Sequence, residues 1–175
     1  LLELARLDST HGQTNVKRRP VAINKLLHQT AEQLQQKASA KKQTLREEPS
    51  STPLYVLAAP ELFSQILYNL TENAIKYTPV GSVIQISAYR KDHQVVVEVA
   101  DNGPGIPDRA KAQVFEMFYT GQSRIADSHR SLGLGLPLCR AILTAHGGTL
   151  TLRDNIPNGS VFSFALPQSE VNIHE

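Results

Sequence analysis

The stretch NLTENAIKYTP, residues 69–79, decides how the rest of the sequence is interpreted. Asn69, Asn73 and Lys76 fall within roughly 60° of one another on the flank of a predicted apolar helix face. Each asparagine costs a helix interior about 0.5 kcal/mol relative to alanine, so the polar stripe indicates a role beyond helix formation. The apolar face has helical spacing and consists of Phe63, Ile66, Leu67, Leu70 and Ala74.

Two interpretations of this stripe remain open from the residues alone. In the first, the asparagine amide oxygens face a cleft and coordinate Mg²⁺ or its water, because hard cations take oxygen ligands. Lys76 would then bring positive charge to a phosphate, and Tyr77 would offer the face of its ring. In the second, the two asparagines are simply exposed on the protein surface.

A first glycine-rich turn, ADNGPGIP at residues 100–107, follows a predicted strand and places Asp101 at the end of that strand. Gly103 and Gly105 permit positive φ and Pro104 fixes its own φ, so the segment is a turn. In one interpretation it is a plain loop. In the other, the Asp101 carboxylate accepts a hydrogen bond from an exocyclic amine such as N6 of adenine, beside a backbone that a ligand can approach closely.

A second glycine-rich turn, SLGLGLPLCRAI at residues 131–142, places Gly133 and Gly135 where a loop becomes an apolar helix. Free N–H groups and the positive end of the helix dipole make such a position an anion site, and Pro137 is tolerated in the first helical turn. The segment is not a Walker A loop, and the chain carries no protein-kinase H-R-D or D-F-G element. A phosphate is the ligand class that fits this turn.

The remaining segments predict helices and strands that mix without strict alternation. Pro20 and VAINKLLHQTAEQLQQKASAKK predict an amphipathic helix whose inner side begins at Val21, after a short edge strand over residues 17–20. QTLREEP and PLYVLA are predicted to be extended, and SVIQISAYRKDHQVVVEVAD is predicted to be a hairpin with one solvent-exposed face. A short helix over residues 112–118, the apolar helix GLGLPLCRAILTAH and a last hairpin, GGTLTLRD with GSVFSFALP, complete the domain. The pattern indicates an α+β fold with one mixed sheet, helices on one face and a frayed tail from Gln168.

Composition argues against several classes of function. The 175 residues carry a net charge of +2, and the basic clusters at residues 17–19 and 41–42 are predicted to be solvated faces, so nucleic-acid binding is not indicated. The six histidines are scattered without a zinc motif. Cys139 is predicted to be buried packing, which fits a reducing compartment, and no apolar run approaches the about 18 residues that span a bilayer.

Taken in order, NLTENAIKYTP, DNGPGIP, VFEMFYTG and GLGLPLCRAI resemble the N, G1, F and G2 boxes of bacterial sensor histidine kinases, in the ATP-binding superfamily shared with gyrase, Hsp90 and MutL. The short lid and the CRAILTAHGG run are similar to the Kdp-type potassium sensors. The resemblance implies a two-layer α/β sandwich, with a mixed five-stranded sheet covered on one face by three helices and an ATP lid between the last two helices. It implies that residues 1–19 are the end of a dimerisation helix and a linker, residues 20–167 the ATP-binding domain, and residues 168–175 a tail.

The same resemblance assigns roles to individual residues. Asn73 would hold Mg²⁺, while Asn69 would order the phosphates and Lys76 would reach one of them, which makes Asn69 and Lys76 the catalytic candidates. Tyr77 would lie against adenine, and Asp101 would accept from adenine N6. The remaining predicted nucleotide contacts shape the adenine pocket, belong to the lid or present N–H groups to the phosphates: Gly103, Gly105, Ile106, Arg124, Arg130, Leu132, Gly133, Leu134, Gly135 and Leu136. Phe115 and Phe118 would anchor the lid.

The implied activity is transfer of the γ-phosphoryl group of ATP to a histidine. No histidine here is followed by the acidic residue and downstream proline of the family's phosphoacceptor box, so the target is expected on a separate dimerisation domain. The expected partners are ATP, that domain and a response regulator, within a parent homodimer. Neither nucleic acid nor direct membrane contact is expected for this segment, which would be a cytoplasmic domain of a bacterial inner-membrane sensor.

Two alternatives remain. One is a stand-alone ATP hydrolase, although hydrolases of the superfamily typically carry a glutamate at the position of Asn69. The other is a nucleotide-binding interaction module without transfer activity, for which Ser131, at a position usually occupied by glycine, is the one indication.

Overall fold

The computed structural model describes residues 17–115 and 135–170. The first half of the chain forms β1 (Arg19–Ala22), α1 (Ile23–Ala40), β2 (Thr44–Glu48), β3 (Tyr55–Ala58) and α2 (Pro60–Tyr77). The second half forms β4 (Val83–Lys91), β5 (Gln94–Asp101), α3 (Asp108–Lys111), a 3₁₀ turn (Gln113–Phe115), α4 (Leu136–Ala145), β6 (Thr149–Asp154) and β7 (Ser160–Pro167). In these ranges no helix has the length and apolar character that crossing a membrane requires. The predicted dimerisation-helix end and the predicted lid lie outside the described residues.

Five strands form one sheet in the order β2-β4-β5-β7-β6. The pair β2 and β4 is parallel and the other pairs are antiparallel, so the predicted mixed sheet is confirmed. The β4–β5 hairpin turns through Asp92 and His93, whose φ angles of 51° and 65° are those of a two-residue type I′ turn. Alternation along these two strands turns one set of side chains toward the helices. That buried set is Ile84, Ile86, Ala88, Val95, Val97 and Val99.

The helices α1, α2 and α4 pack their apolar sides on this face of the sheet. Phe63 of α2 meets Phe164 of β7 edge to face, with the ring centroids 5.7 Å apart. Burial of one such large apolar side chain contributes about 1.5–3 kcal/mol, so the layer between helices and sheet holds the domain together. All five residues predicted for the inner side of α2 are buried, and the predicted two-layer α+β arrangement is confirmed.

The start of α1 differs from the prediction. The edge strand predicted over residues 17–20 is present but lies at Arg19–Ala22, so Val21 belongs to β1 together with Pro20. This strand pairs antiparallel with β3 in a separate two-stranded sheet, with Val21 opposite Val56. The helix begins at Ile23, whose N–H donates to the carbonyl of Leu54 at 2.9 Å. Proline lacks an N–H donor and is tolerated on an edge strand, so the pattern fits a strand once β3 is available as a partner.

Two shorter predictions also need correction. The part of the predicted short helix that is described, residues 112–115, is not α-helical, because α3 ends at Lys111 and a 3₁₀ turn follows at Gln113–Phe115. Residues 116–118 of that prediction lie outside the described residues. The tail is not frayed at its start, since the N–H groups of Gln168 and Ser169 donate to the carbonyls of His93 and Tyr55 at 2.9 and 2.8 Å. These two bonds tie the end of β7 to the β4–β5 turn and to β3.

Candidate functional site

The polar stripe of α2 runs from the core to the surface. Asn69 is 7% exposed, Asn73 is half-buried, and Lys76 and Tyr77 are exposed in the last turn of the helix. The interpretation that both asparagines are simply exposed is therefore wrong for Asn69. Lys76 Nζ lies 5.6 Å from the centroid of the Tyr77 ring, within the range of a cation–π contact.

Asn69 faces the neighbouring helix. Its side chain hydrogen-bonds the thiol of Cys139 in α4, which is buried as predicted. Burial raises the pKa of Cys139 to about 12, so the thiol stays protonated at neutral pH. Asn69 therefore connects α2 to the helix that begins at the second glycine turn.

The end of α2 is held by two residues that the sequence analysis did not assign to the site. Lys41 Nζ donates to the carbonyls of Ile75 and Thr78, both at 2.7 Å. Gln43 Nε2 donates to the Ile75 carbonyl at 3.0 Å and to the Thr78 hydroxyl at 2.9 Å. A cation at the carbonyl end of a helix is favourable, because the free carbonyls carry partial negative charge. The prediction that Lys41 lies on a solvated face is therefore wrong.

Asp101 is the last residue of β5, as predicted, and it is 9% exposed. Burial raises the pKa of its carboxyl above the usual value, although hydrogen bonds from the N–H groups of Gly103 and Ser160 oppose that shift. Both of these donors bond Oδ1, at 2.9 and 3.3 Å. Among the described residues no lysine, arginine or histidine pairs with this carboxylate. The site thus holds a buried acceptor that lacks a compensating cation there.

The first glycine turn lies directly against the end of α2. A Cβ placed on Gly103 would be 2.8 Å from Cγ2 of Thr78, so the backbone approaches the helix closely at this point. Gly105 has a φ of 81°, which an L side chain rarely adopts. The structure therefore brings Asp101, Gly103 and the C-terminal end of α2 together at one place.

The edge of this turn is tied to α3. Lys111 Nζ donates to the carbonyl of Ile106 at 2.9 Å and contacts the carboxylates of Asp108 and Asp154 at 2.5 and 3.0 Å. Its ammonium group thereby joins the turn, α3 and the end of β6. Ile106, predicted to shape an adenine pocket, is half-buried beside this cluster.

The second glycine turn is described only from Gly135 onward. Gly135 is the N-cap of α4 and Pro137 lies in the first turn, as predicted. The Gly135 carbonyl accepts the first helical N–H groups, from Leu138 at 3.1 Å and Cys139 at 3.2 Å, and Leu136 is half-buried. The predicted contacts Arg124, Arg130, Leu132, Gly133 and Leu134, like the predicted anchor Phe118, lie outside the described residues.

The predicted lid anchor Phe115 is half-buried against α4 and the sheet. The guanidinium carbon of Arg140 lies 4.9 Å from its ring centroid, and the Phe162 ring meets it edge to face at 6.2 Å. Phe115, the last described residue before position 116, is thus held in place by contacts with α4 and β7.

His146 connects the far end of α4 to the start of α2. Its Nε2 accepts the N–H of Ala59, the N-cap of α2, at 3.1 Å, and its Nδ1 donates to the Ile142 carbonyl at 2.8 Å. Burial lowers the pKa of His146, so the ring is neutral at pH 7. Arg18 donates to the Ala145 carbonyl at 2.6 Å, which corrects the prediction that Arg18 lies on a solvated face.

In the described part of the chain no three His, Cys, Asp or Glu side chains cluster as metal ligands. The amide oxygen of half-buried Asn73 is a hard donor that could serve as one ligand of Mg²⁺, the other ligands coming from phosphates and water.

Comparison with known proteins identifies a family model and relatives that match this chain. Residues 58–170 match the family described as Histidine kinase-, DNA gyrase B-, and HSP90-like ATPase. Sensor protein KdpD of Clostridium acetobutylicum is 40% identical over 107 residues, which are 61% of this chain and 12% of that protein. Adaptive-response sensory kinase SasA of Synechocystis sp. is 38% identical over 161 residues, 90% of this chain and 41% of that protein. The chain thus spans less than half the length of these relatives.

Solved structures with the same fold include the catalytic domain of histidine kinase ThkA, with a TM-score of 0.74 and 29% identity over 86% of this chain and 95% of that one. Full-length ShkA in complex with AMPPNP has a TM-score of 0.78 and 28% identity, covering 97% of this chain and 36% of that one. ThkA in complex with response regulator TrrA gives 0.74 and 28%, covering 96% of this chain and 49% of that one.

Proposed function

The chain belongs to the family of histidine kinase-, DNA gyrase B- and HSP90-like ATPases, and on this premise we propose that it is the ATP-binding catalytic domain of a sensor histidine kinase. It transfers the γ-phosphoryl group of ATP to a histidine on a dimerisation domain. The names of the relatives KdpD and SasA and of the neighbours ThkA and ShkA support a kinase within this family. The Kdp subtype stays a prediction, because KdpD and SasA match at similar identity.

The observation that carries the proposal is the buried carboxylate of Asp101 beside the end of α2. A carboxylate that is buried without a cation among the described residues is costly unless a ligand donates to it. The exocyclic amino group of adenine is a donor of the required kind. Gly103 and Gly105 leave the backbone open to the flat base, and Tyr77 lies at the adjoining end of α2.

Along α2, the remaining groups fit the phosphates. Asn73 is proposed to ligate Mg²⁺, and Lys76 to neutralise phosphate charge, while Asn69 orders this side of the cleft through its bond to α4. Leu136 and Gly135 at the start of α4 would offer N–H groups to the phosphates. When bound, Mg-ATP supplies the phosphoryl group to be transferred. The protein's own part is positioning and charge neutralisation, because the acceptor histidine is itself the nucleophile.

The partners follow from the same proposal. The phosphoacceptor histidine lies on a dimerisation domain of a homodimeric parent, and residues 1–19 are the link to it. A response regulator receives the phosphoryl group, as the ThkA neighbour in complex with TrrA suggests by analogy. The domain over residues 20–167, with its tail at 168–175, lies on the cytoplasmic side of a membrane sensor.

Calorimetric titration of the chain with ATP, with and without Mg²⁺, tests the proposal. ATP should bind, Mg²⁺ should strengthen binding, and Asn73→Ala should abolish the Mg²⁺ dependence. Phosphohistidine should form only when a dimerisation domain is added. Absence of nucleotide binding would refute the site, and steady phosphate release by the chain alone would support a hydrolase instead.

A further inference from the structure

The loop between β6 and β7, residues 155–159, reaches across to the first glycine turn. Asn155 Nδ2 donates to the main-chain carbonyl of Asp101 at 2.8 Å. Asn158 Nδ2 donates to the carbonyls of Asn102 at 2.6 Å and Gly103 at 3.1 Å. Three consecutive carbonyls of the turn are thus held by two side chains of one loop.

The loop that provides these donors is itself fixed. Asn155 Oδ1 accepts the N–H of Ile156 at 2.9 Å, and the Asn155 N–H donates to the Gly159 carbonyl at 3.0 Å. Gly159 has a φ of 110°, and a Cβ on it would lie 1.9 Å from the Asp101 carbonyl oxygen. Only glycine permits this approach of two backbones, so the loop and the turn form one packed unit.

The opposite side of the turn is held by the start of β4. The Val83 N–H donates to Asn102 Oδ1 at 2.8 Å, and the Asn102 N–H donates back to the Val83 carbonyl at 3.2 Å. With its backbone fixed on both sides, the turn presents Asp101 with Oδ1 engaged by the N–H groups of Gly103 and Ser160. Among the described residues no hydrogen bond engages the second carboxylate oxygen, which leaves it as the acceptor for a base.

We propose that Asn155 and Asn158 are positioning residues that give the site its preference for adenine over guanine, an inference that rests on the proposed ATP-binding function. Adenine carries an amino donor at the position where guanine carries the O6 acceptor. A carboxylate held in one orientation accepts from the first and repels the second. If the turn is released, Asp101 can turn away or admit a bridging water, and the two bases become more alike in affinity.

The test compares Asn155→Ala and Asn158→Ala with Asn24→Ala in the full chain. Asn24 is a matched control, because its Nδ2 donates to the Ser50 carbonyl at 3.0 Å and its Oδ1 accepts the Ser50 N–H at 2.9 Å. Dissociation constants of Mg-ATP and Mg-GTP are measured by calorimetry, and folding is checked by thermal denaturation. Asn158 is exposed, so its alanine variant decides the question even if Asn155→Ala does not fold.

We expect each loop variant to raise the Kd of ATP about fivefold to tenfold while the Kd of GTP changes less than about twofold. The ATP-to-GTP preference should stay at the wild-type value in Asn24→Ala. An unchanged preference in the loop variants, or an equal loss for both nucleotides, would overturn the inference while leaving the ATP site intact. Failure of the unsubstituted chain to bind ATP would overturn the inference and the proposed function together.

Discussion

Replacing Gly103 by alanine tests whether the first glycine turn is packed against the end of α2. The added Cβ would lie 2.8 Å from Thr78 Cγ2 and 3.2 Å from Asp101 Oδ1. Thr78 cannot rotate away easily, because its hydroxyl donates to the Ala74 carbonyl at 2.7 Å and accepts from Gln43 Nε2 at 2.9 Å. The turn must therefore move away from the helix, or the hydroxyl must lose its bonds.

The expected cost follows from this contact. Overpacking of a well-packed site costs typically 1–3 kcal/mol, and we expect about 2 kcal/mol for Gly103→Ala. In a chain of this length 1 kcal/mol corresponds to about 2–4 °C in Tm, so Tm should fall by about 4–8 °C. Thr78→Ser removes Cγ2 but keeps the hydroxyl, at a cost of about 1 kcal/mol for the lost methyl group. In the double variant the new Cβ can use the vacated space. The destabilisation of the double variant should therefore be smaller than the sum of the two single destabilisations by about 1–2 kcal/mol.

Thermal and urea denaturation of the four proteins measures this coupling, and titration with ATP accompanies it. ATP affinity should fall in Gly103→Ala and recover in part in the double variant, because the turn returns toward its original place. Simple additivity of the two substitutions, or a Tm change below about 1 °C for Gly103→Ala, would refute the close approach of turn and helix.

The remaining predictions concern charge and titration. Lys41→Met should lower Tm by several degrees, because it removes the donor to the α2 carbonyls. Lys42→Met, at the exposed neighbouring position, should leave Tm nearly unchanged. Equal Tm shifts in the two variants would contradict the capping role of Lys41. Asp101→Asn should weaken the binding of ATP but not of GTP in a titration. It should not lower Tm at pH 7, since burial disfavours the charged carboxylate and raises its pKa. The pKa of His146 is lowered in the fold, so its contribution to stability is complete above the unfolded value of 6.5 and is lost as pH falls through the lower folded pKa. The Tm of the wild-type chain should therefore drop more between pH 7.5 and 5.5 than that of His146→Gln, and identical pH profiles would rule out His146 as the titrating group.

Local periodicity was sufficient to predict α2, the β4–β5 hairpin and the position of Asp101. Each of these depends on side chains close together in sequence: the helical spacing around Asn69, the alternation in β4 and β5, and the glycines that follow Asp101. The same local information predicted that Gly135 and Pro137 begin a helix. The sequence therefore located the described elements of the candidate site.

The residues that hold the site in place bond to partners far away in the chain, and the periodicity of the sequence does not indicate such long-range contacts. Val21 was assigned to the helix, because the full extent of the edge strand becomes evident only through its pairing with β3. Lys41 and Arg18 were taken for solvated side chains, since their acceptors are carbonyls 34 and 127 residues away. The sequence did not single out Asn158 for the same reason, because its acceptors lie 55 and 56 residues away.

These supports explain how the fold can keep Asp101 where it is. Burial of the Asp101 carboxylate, which no cation pairs with among the described residues, is unfavourable, and an isolated turn would expose it to water. Here β4, the β6–β7 loop and Thr78 contact the turn on three sides, so contacts within the fold itself keep the carboxylate buried and oriented. On the proposed function, a base that donates to the carboxylate would remove this cost, and its binding free energy would not be reduced by the ordering of the turn. On the proposed function, the stability that the buried carboxylate of Asp101 costs the fold would be recovered as selectivity for a base with an amino group at that position.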